Sequence, residues 1–254
     1  MDLELDGKVV VICGGATGIG RACADAFADE GARLAIFDWN ADALALAAAD
    51  LRGRGVEVVT EHVDVSQGQS VDAAHARVIE TFGCIDVGFN NAGIITPSKA
   101  IEDTTEADWD SVLGVNLKGI WLCTRAQVRH MRPRGKGVII NTASTVALVG
   151  APGTTPYTAS KHGVVGITRT VALELATSGV RINSIAPATV DTPLNSVLFD
   201  NDDPFADALV RKGQPIGRNA SPREIADAVL WLASARSTFV HGSTLVVDGA
   251  FTAQ

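Results

Sequence analysis

Seven short, mostly apolar runs recur along the chain, and segments with helical spacing or turn residues separate them. In order, the runs are KVVVIC, RLAIFD, VEVVTEHVD, IDVGFNNAG, GVIINTAS, VRINSIAP and STLVVDG. Strands that are apolar at successive positions are typical of a parallel sheet that is buried on both faces. Because parallel strands need long crossover connections, helices are expected between them. The pattern therefore predicts an α/β fold.

This alternation predicts a doubly wound, Rossmann-type sheet of seven parallel strands with helices on both faces. Between the fourth and fifth strands we expect one long helix, from about Thr105 to His130. No linker or break in composition divides the 254 residues, so a single domain over residues 1–254 is expected. Residues 188–213 are too many for an ordinary connection, and we interpret them as a lid inserted over a substrate site.

The segment GGATGIG lies between the first strand and the first helix. Gly14, Gly18 and Gly20 allow a tight turn in which backbone N–H groups approach a phosphate at the helix N-terminus. The spacing GxxxGxG differs from the GxGxxG fingerprint of dinucleotide sites. Arg21 and Ala22 stand where a P-loop requires Lys and Ser or Thr, which disfavours ATP.

The second strand ends at Asp38, 18 residues after Gly20. A carboxylate at this position can accept hydrogen bonds from an adenosine ribose, and its charge repels a 2′-phosphate. Trp39 beside it offers no cation to compensate, so the sequence predicts NAD rather than NADP. The alternative is that Asp38 only forms a turn before Asn40.

Two further strand ends could complete a dinucleotide site. Asp64, at the end of the third strand, could meet the adenine edge, with Val65 as an apolar wall. Residues 90–93, Asn-Asn-Ala-Gly, follow the fourth strand and offer amides and small residues where a cofactor would lie. Asn-rich turns also cap strands in many folds, so these residues have a purely structural alternative.

Tyr157 is the only tyrosine of the chain, and Lys161 follows it four residues later in a helical segment. At this spacing both side chains lie on one helix face. A free phenol has a pKa of about 10, and a nearby ammonium favours the phenolate, so we expect Lys161 to lower the pKa of Tyr157. Ser144, at the end of the fifth strand, and Asn116, a poor helix former inside the long helix, are further polar candidates. Tyr and Lys at this spacing also occur on helices without catalysis.

Together these residues resemble the classical short-chain dehydrogenase/reductase family over almost the whole chain. The matching features are GxxxGxG at 14–20, Asp64, NNAG at 90–93, Asn116, Ser144, YxxxK at 157–161, Asn183 through Pro187, and Asp248 with Gly249. Their joint order and spacing are specific, although none is decisive alone.

The resemblance implies a catalytic role for four residues, Asn116, Ser144, Tyr157 and Lys161. Tyr157 would be the acid/base of an alcohol–ketone interconversion, and Ser144 would polarise the substrate oxygen. Lys161 would bind the nicotinamide ribose, and Asn116 would position a water that links Lys161 to solvent.

We expect NAD as the cofactor. The expected cofactor-binding residues are Gly14, Thr17, Gly18, Ile19, Gly20, Asp38, Trp39, Asp64, Val65, Asn91, Ala92, Gly93, Tyr157, Lys161, Pro187, Ala188, Val190 and Thr192. Two positions depart from the family pattern: Cys13 stands where Thr is usual, and Ala188 replaces the Gly that usually follows Pro187.

The expected substrate-binding residues are Ser144, Val146, Tyr157, Ile95, Leu194 and Leu198. Most are apolar, and no Arg or Lys lies among them to bind a carboxylate or phosphate. We therefore expect an uncharged, largely hydrophobic secondary alcohol or ketone. Packing in the core or the lid is the alternative for the apolar members. No metal site is expected.

The remaining expectations concern partners and location. A net charge of −8 argues against nucleic acid, and no apolar run approaches the length that spans a membrane. The four cysteines form no CxxC pair and are read as buried, reduced thiols. The acidic N-terminal segment is unlike a signal peptide, so a cytoplasmic protein is expected. The family resemblance implies a homotetramer.

Two other functions stay open. One is a 3-oxoacyl-carrier-protein reductase that uses NADPH, against which Asp38 and the acidic lid argue. The longer tyrosine–lysine spacing of enoyl reductases is absent. The other is a dinucleotide-binding regulator that catalyses nothing, since a fold does not determine a function.

Overall fold

A computed structural model describes residues 2–194 and 214–253. Its strands are β1 (Val9–Cys13), β2 (Arg33–Asp38), β3 (Val58–His62), β4 (Val87–Asn90), β5 (Gly137–Thr142), β6 (Val180–Pro187) and β7 (Thr244–Val247). They form one sheet in the order β3-β2-β1-β4-β5-β6-β7, and every neighbouring pair is parallel. The predicted seven-stranded, doubly wound sheet is confirmed.

Helices cover both faces of this sheet. Those among the described residues are α1 (Gly18–Asp29), α2 (Ala41–Gly53), α3 (Gly68–Phe82), α4 (Glu106–Leu113), α5 (Ile120–Arg134), α6 (Thr155–Leu175) and α7 (Pro222–Ala233). Alternate residues of β1 enter two separate cores: Val10 and Ile12 pack with α1, α2 and α7, whereas Val9 and Val11 pack with α3, α5 and α6. Burial on both faces is the reason that the strands read as continuous apolar runs.

The predicted long helical stretch from about Thr105 to His130 is present. It consists of α4, a π-helical turn at Gly114–Gly119 and α5, which follow one another without a break to Arg134. Asn116 lies in this π turn and is fully buried. Its Oδ1 accepts from the Ile94 backbone N at 2.8 Å, and its Nδ2 donates to the Ile94 backbone O at 2.9 Å. A π turn is commonly a local insertion at a functional position. Here the amide exchanges two hydrogen bonds with the loop that follows β4.

Most of the predicted lid, residues 195–213, lies outside the described residues. The chain on either side of it is joined at its base, where Val190 pairs with Ala220 in an isolated bridge. Asn219 Nδ2 also donates to Asp191 Oδ1 at 2.7 Å. Both ends of the insertion therefore leave the sheet from one place, beside β6.

A chain of buried polar side chains crosses the core between α3, the sheet and α6. Gln127 and Asn90 exchange two hydrogen bonds of 2.8 and 3.0 Å, and Asn90 Nδ2 donates to Asn141 Oδ1 at 2.9 Å. Asn141 Nδ2 then donates to Thr168 Oγ1 at 3.1 Å. At the other end His75 Nδ1 lies 2.8 Å from the Val71 carbonyl, so Nδ1 carries the proton and Nε2 can accept from Gln127 Nε2 at 3.4 Å. This arrangement requires a neutral His75.

We expect this histidine to make the protein less stable in acid. Burial lowers the pKa of His75 to about 4, while Asp72 acts to raise it and His130 to lower it. The unfolded chain, with a histidine pKa of about 6.5, binds the proton first, so stability is complete above pH 6.5 and falls as the pH drops toward 4. The shift corresponds to a decrease of about 3 kcal/mol in the free energy of unfolding between pH 6.5 and pH 4. Urea unfolding at several pH values measures this. The free energy of unfolding should change less between pH 6.5 and 4 in His75→Leu than in wild type, whereas the exposed His162→Gln should show the wild-type change.

The described residues show few other special features. All four cysteines are free thiols; Cys13, Cys23 and Cys123 are buried as expected, but Cys84 is only half-buried. Within residues 2–194 and 214–253, no cluster of His, Cys, Asp and Glu side chains is placed to hold a metal ion. Over the same ranges, no helix is both long and apolar enough to cross a bilayer.

Candidate active site

A cleft of about 920 Å³ opens at the carboxyl ends of the parallel strands. Its walls come from residues that directly follow β1 through β6, which is where ligands bind in an open α/β sheet. The sheet order changes direction at β1, whose neighbours are β2 and β4. This volume falls in the usual range for small-molecule sites.

Nearly all the expected cofactor residues line this cleft. They are Gly14, Thr17, Gly18, Ile19, Asp38, Trp39, Asp64, Val65, Asn91, Ala92, Gly93, Tyr157, Lys161, Pro187, Ala188, Val190 and Thr192. Gly20 is not among the lining residues. A Cβ on Gly20 would lie 1.9 Å from the Gly14 carbonyl oxygen, so Gly20 packs beneath the turn and supports it.

The glycine turn forms a cradle that fits a phosphate. Gly14 has a φ of +74°, and a Cβ there would lie 2.6 Å from the Ala92 Cα, so only glycine allows this approach. No side chain caps the N-terminus of α1, where Thr17 is the N-cap residue. The first N–H groups of α1 are therefore left for a ligand, and the helix dipole favours an anion there. The residues present fit the pyrophosphate of a dinucleotide.

Asp38 anchors the far side of the turn. Its Oδ2 accepts from the Ala16 backbone N at 3.0 Å, and its Oδ1 accepts from the Asn40 backbone N at 3.0 Å. Each carboxylate oxygen keeps a lone pair that a ribose hydroxyl can use. Both the ribose-binding and the turn-forming readings of Asp38 are thus compatible with its contacts. Trp39 next to it is largely exposed.

The other strand ends have mixed roles. Asp64 and Val65 line the cleft, but Asp64 Oδ1 already accepts from the Ser66 backbone N and hydroxyl at 2.9 and 2.7 Å. Asn91 donates from Nδ2 to the Gly14 carbonyl at 3.0 Å, so its side chain braces the glycine turn. Asn90 points into the core. The structural reading of the Asn-Asn pair therefore has direct support.

Ser144, Tyr157 and Lys161 meet at the other end of the cleft. Tyr157 and Lys161 lie in the first two turns of α6, and the Lys161 Nζ is 5.5 Å from the centroid of the phenol ring. The ammonium is almost fully buried and donates to the Thr142 backbone carbonyl at 2.8 Å. Burial lowers the pKa of Lys161 to about 8. The lysine can therefore gain and lose a proton near neutral pH.

The expected lowering of the Tyr157 pKa by Lys161 is wrong for the protein alone. Burial raises the pKa of the phenol, and a hydrogen bond with the Ser144 side chain only partly opposes it. The Lys161 ammonium lies over the ring and donates to the Thr142 carbonyl rather than to the phenol oxygen. Desolvation of the phenolate outweighs the attraction of the neighbouring cation.

An ultraviolet difference titration can test this directly, because the chain has one tyrosine. The ionisation should lie above the value of about 10 for a free phenol. Ser144→Ala should raise it further, since the serine acts to lower the pKa. A midpoint below 10, or an unchanged midpoint in Ser144→Ala, would contradict this reading.

Asn116 does not line the cleft, but its amide reaches toward Lys161 behind Gly93. A Cβ built on Gly93 would have three nearest neighbours, Asn116 Oδ1 at 3.5 Å, the Asn91 carbonyl oxygen at 3.7 Å and Lys161 Nζ at 3.7 Å. All three are polar, two acceptors and one donor. A buried water needs two to four polar partners, so the space in front of Gly93 suits one.

The substrate end is less complete. Ser144, Tyr157 and Leu194 line the cleft as expected, together with Ile94, Ala143 and Pro193. Ile95 and Val146 are not among the lining residues, and Leu198 lies outside the described residues. In the loop after β4, the wall of the cleft is formed by Ile94 rather than by Ile95.

Several lining residues were missed by sequence reasoning. They are His62, Val63, Ser66, Gln67, Asp110, Ser111, Gly114, Val115, Lys118, Thr142, Ala143 and Pro193. Thr142 and His62 end strands, so the rule that selected Asp38 also applies to them. Residues 110–118 belong to α4 and the π turn, and nothing in their local pattern indicated a cleft.

A sequence model of a protein family described as enoyl-(acyl carrier protein) reductase matches residues 14–252. D-Threitol dehydrogenase of Mycolicibacterium smegmatis is 41% identical over 251 residues, which are 99% of this chain and 95% of that protein. Cyclopentanol dehydrogenase of Comamonas sp. is 36% identical over 250 residues, which are 98% and 99% of the two chains. These names support oxidoreductase activity.

Solved structures agree in fold. Levodione reductase superposes with a TM-score of 0.94 at 35% identity and covers 98% of both chains. A 3-ketoacyl-(acyl-carrier-protein) reductase from Brucella melitensis, complexed with NADH, gives a TM-score of 0.91 at 31% identity over 98% and 99% of the chains. With its glycine turn, its Ser-Tyr-Lys cluster and these relatives, the chain belongs to the short-chain dehydrogenase/reductase family of oxidoreductases, which bind a nicotinamide dinucleotide.

Proposed function

We propose that this protein, a single domain, is an NAD-dependent oxidoreductase that interconverts a secondary alcohol and a ketone on a small, uncharged and largely apolar molecule. One observation carries the proposal: Ser144, Tyr157 and Lys161 line the same cleft as the glycine turn and Asp38. A non-catalytic regulator has no need for all three reacting groups in that place.

Tyr157 is the acid/base of the proposed reaction. Burial keeps its phenol protonated at neutral pH, and this form donates a proton to the oxygen of a ketone as it is reduced. In the opposite direction the phenolate accepts the hydroxyl proton of the alcohol. The Ser144 hydroxyl donates a hydrogen bond to the same substrate oxygen and stabilises the charge that develops there. A bound nicotinamide dinucleotide would supply the hydride acceptor for alcohol oxidation and the hydride donor for ketone reduction.

Lys161 and Asn116 connect Tyr157 with solvent in this proposal. With a pKa lowered to about 8, Lys161 can pass a proton on and recover it during turnover. Asn116 Oδ1 and the Asn91 carbonyl are placed to hold a water in front of Gly93, within reach of the Lys161 ammonium. Lys161 also keeps donors for the nicotinamide ribose, because Thr142 takes only one of its three.

The preference for NAD over NADP rests on Asp38. Its carboxylate lines the cleft, and neither Lys nor Arg among the described residues is paired with it. A 2′-phosphate placed there would meet a negative charge without a compensating cation.

Replacing Asp38 by alanine should therefore lower kcat/KM for NAD and reduce the ratio of kcat/KM for NAD to kcat/KM for NADP. Loss of charged hydrogen bonds to the ribose should lower kcat/KM for NAD by roughly 10- to 100-fold. Asp42→Ala, an exposed acid in the first turn of α2, is the matched control and should leave both cofactors unchanged. Steady-state kinetics with NAD and NADP check this; equal losses for both cofactors would contradict the assignment.

The substrate class follows from the described part of the pocket. Ile94, Ala143 and Leu194 line the same cleft as Ser144 and Tyr157. Among the described residues, the lysines and arginines of the cleft are Lys118, on the π turn beside the expected adenine wall, and the catalytic Lys161. No cation is left there for a substrate anion. The relatives' names, which refer to D-threitol and cyclopentanol, also point to uncharged alcohols.

The proposal is tested by following NADH at 340 nm with cyclopentanol, cyclohexanol, D-threitol, their ketones and a hydroxycyclohexanecarboxylate. Turnover of uncharged alcohols with NAD, and its loss in Tyr157→Phe, is expected. Activity only toward the carboxylate, or only with NADP, would overturn the substrate or the cofactor assignment.

A 3-oxoacyl-carrier-protein reductase that uses NADPH is the second candidate. The reaction named for the Brucella structure favours it, but the cofactor in that structure is NADH. An acidic carrier protein would require basic residues around the cleft, and Asp38 opposes NADPH. Assay with an acetoacetyl thioester and NADPH separates the two.

We also propose a homotetramer in the cytoplasm. Trp109, Trp121 and Leu173 are apolar side chains on α4, α5 and α6 that the described chain leaves exposed, as an interface would require. Four free cysteines suit a reducing compartment.

A further inference from the structure

Thr142, the last residue of β5, touches two residues of the proposed site at once. Its backbone carbonyl accepts the 2.8 Å hydrogen bond from Lys161 Nζ. Its side-chain hydroxyl lies 3.3 Å from Asn91 Oδ1. The residue lines the cleft and is 7% exposed, so bulk water does not compete for these contacts.

The direction of each hydrogen bond is determined by the next partner. The Gly14 carbonyl can only accept, so the side of the Asn91 amide that faces it must be Nδ2, at 3.0 Å. Oδ1 then faces Thr142, and the Thr142 hydroxyl must donate. Within the described residues, Asn91 Oδ1 accepts its hydrogen bond from Thr142.

Gly20 leaves room for this arrangement. A Cβ on Gly20 would lie 2.9 Å from Asn91 Nδ2 and 1.9 Å from the Gly14 oxygen. The amide therefore sits against the first turn of α1, where no side chain intervenes. A small rotation of Asn91 would move its Nδ2 away from the Gly14 carbonyl.

These contacts connect both ends of the cleft. β1, β4 and β5 are neighbours in the sheet, and the hydrogen bonds run from the end of one to the end of the next. They join the Gly14 carbonyl, in the turn that faces the pyrophosphate, to the Lys161 ammonium on α6.

We propose that Thr142 is a positioning residue for cofactor binding. Its hydroxyl orients the Asn91 amide, and that amide in turn binds the Gly14 carbonyl in the phosphate-facing turn. Through these contacts Thr142 fixes the position of the turn relative to Lys161. The inference rests on the proposed function only in assuming that the dinucleotide binds in this cleft.

Thr142→Val tests the hydroxyl alone, because valine keeps the shape and the backbone carbonyl that holds Lys161. We expect the Kd for NAD to rise roughly 3- to 10-fold, the effect of losing one hydrogen bond. Thr142→Ser keeps the hydroxyl and should restore the wild-type Kd. The Kd is measured by following tryptophan fluorescence while NAD is titrated into each variant.

Hydrogen exchange of the amides of residues 14–20 gives a second readout that needs no cofactor. Exchange should be faster in Thr142→Val than in wild type, and normal in Thr142→Ser. An unchanged Kd with unchanged exchange, or equal changes in both variants, would overturn the inference. Wild-type protein that does not bind NAD would instead contradict the proposed function, and the exchange comparison would still decide the role of Thr142.

Discussion

Tyr157→Phe should lose nearly all alcohol oxidation and ketone reduction, with kcat lower by roughly 10²- to 10⁴-fold, the usual contribution of a general acid/base. The phenol oxygen is the group that exchanges the proton with the substrate in the proposed reaction. Phenylalanine keeps the aromatic ring over which Lys161 lies at 5.5 Å, so the lysine should stay in place. The Kd for NAD should therefore change little. Single-turnover measurements of NADH formation isolate the affected step.

Ser144→Ala is the companion variant. It removes the hydrogen bond to the phenol and to the substrate oxygen but keeps the phenol itself, so its loss of kcat should be large yet smaller than that of Tyr157→Phe. Thermal unfolding of both variants should match wild type. Turnover within a few-fold of wild type in Tyr157→Phe would remove Tyr157 from the reaction and with it the proposed mechanism.

The sheet and most of the cleft could be predicted because they depend on short-range patterns. Each buried strand is an uninterrupted apolar run, and in a parallel sheet the residues after the strands meet at one edge. Asp38, Asp64, Asn91 and Ser144 were found in this way, and all line the cleft.

Long-range contacts explain what the sequence did not predict. The π-helical turn inside the long helix was not predicted, and there the Asn116 amide pairs with the Ile94 backbone, 22 residues earlier in the chain. Gly20 belongs to the glycine motif but packs on Gly14 rather than on the cleft. The raised pKa of Tyr157 reflects burial, which sequence spacing to Lys161 does not report.

Gly93→Ala should slow turnover while leaving every reacting group in place. The methyl group would lie 3.5 Å from Asn116 Oδ1 and 3.7 Å from both the Asn91 oxygen and Lys161 Nζ, which is ordinary contact, and the backbone of Gly93 is not in the left-handed region. Alanine therefore fits, but it occupies the space where a water would bridge Lys161 and Asn116. If protons leave Tyr157 by this route, kcat should fall roughly 10- to 100-fold.

The loss should have the signature of slow proton transfer rather than of weak binding. The Kd for NAD should stay within about threefold, a ratio of less than 1 kcal/mol. A small buffer such as imidazole should restore part of kcat in Gly93→Ala as its concentration rises, because it can exchange protons where the water cannot. Gly150→Ala, at a glycine with open space at its Cβ position, is the matched control and should behave as wild type with and without imidazole. A normal kcat in Gly93→Ala, or a lowered kcat that imidazole does not restore, would show that the space in front of Gly93 carries no proton.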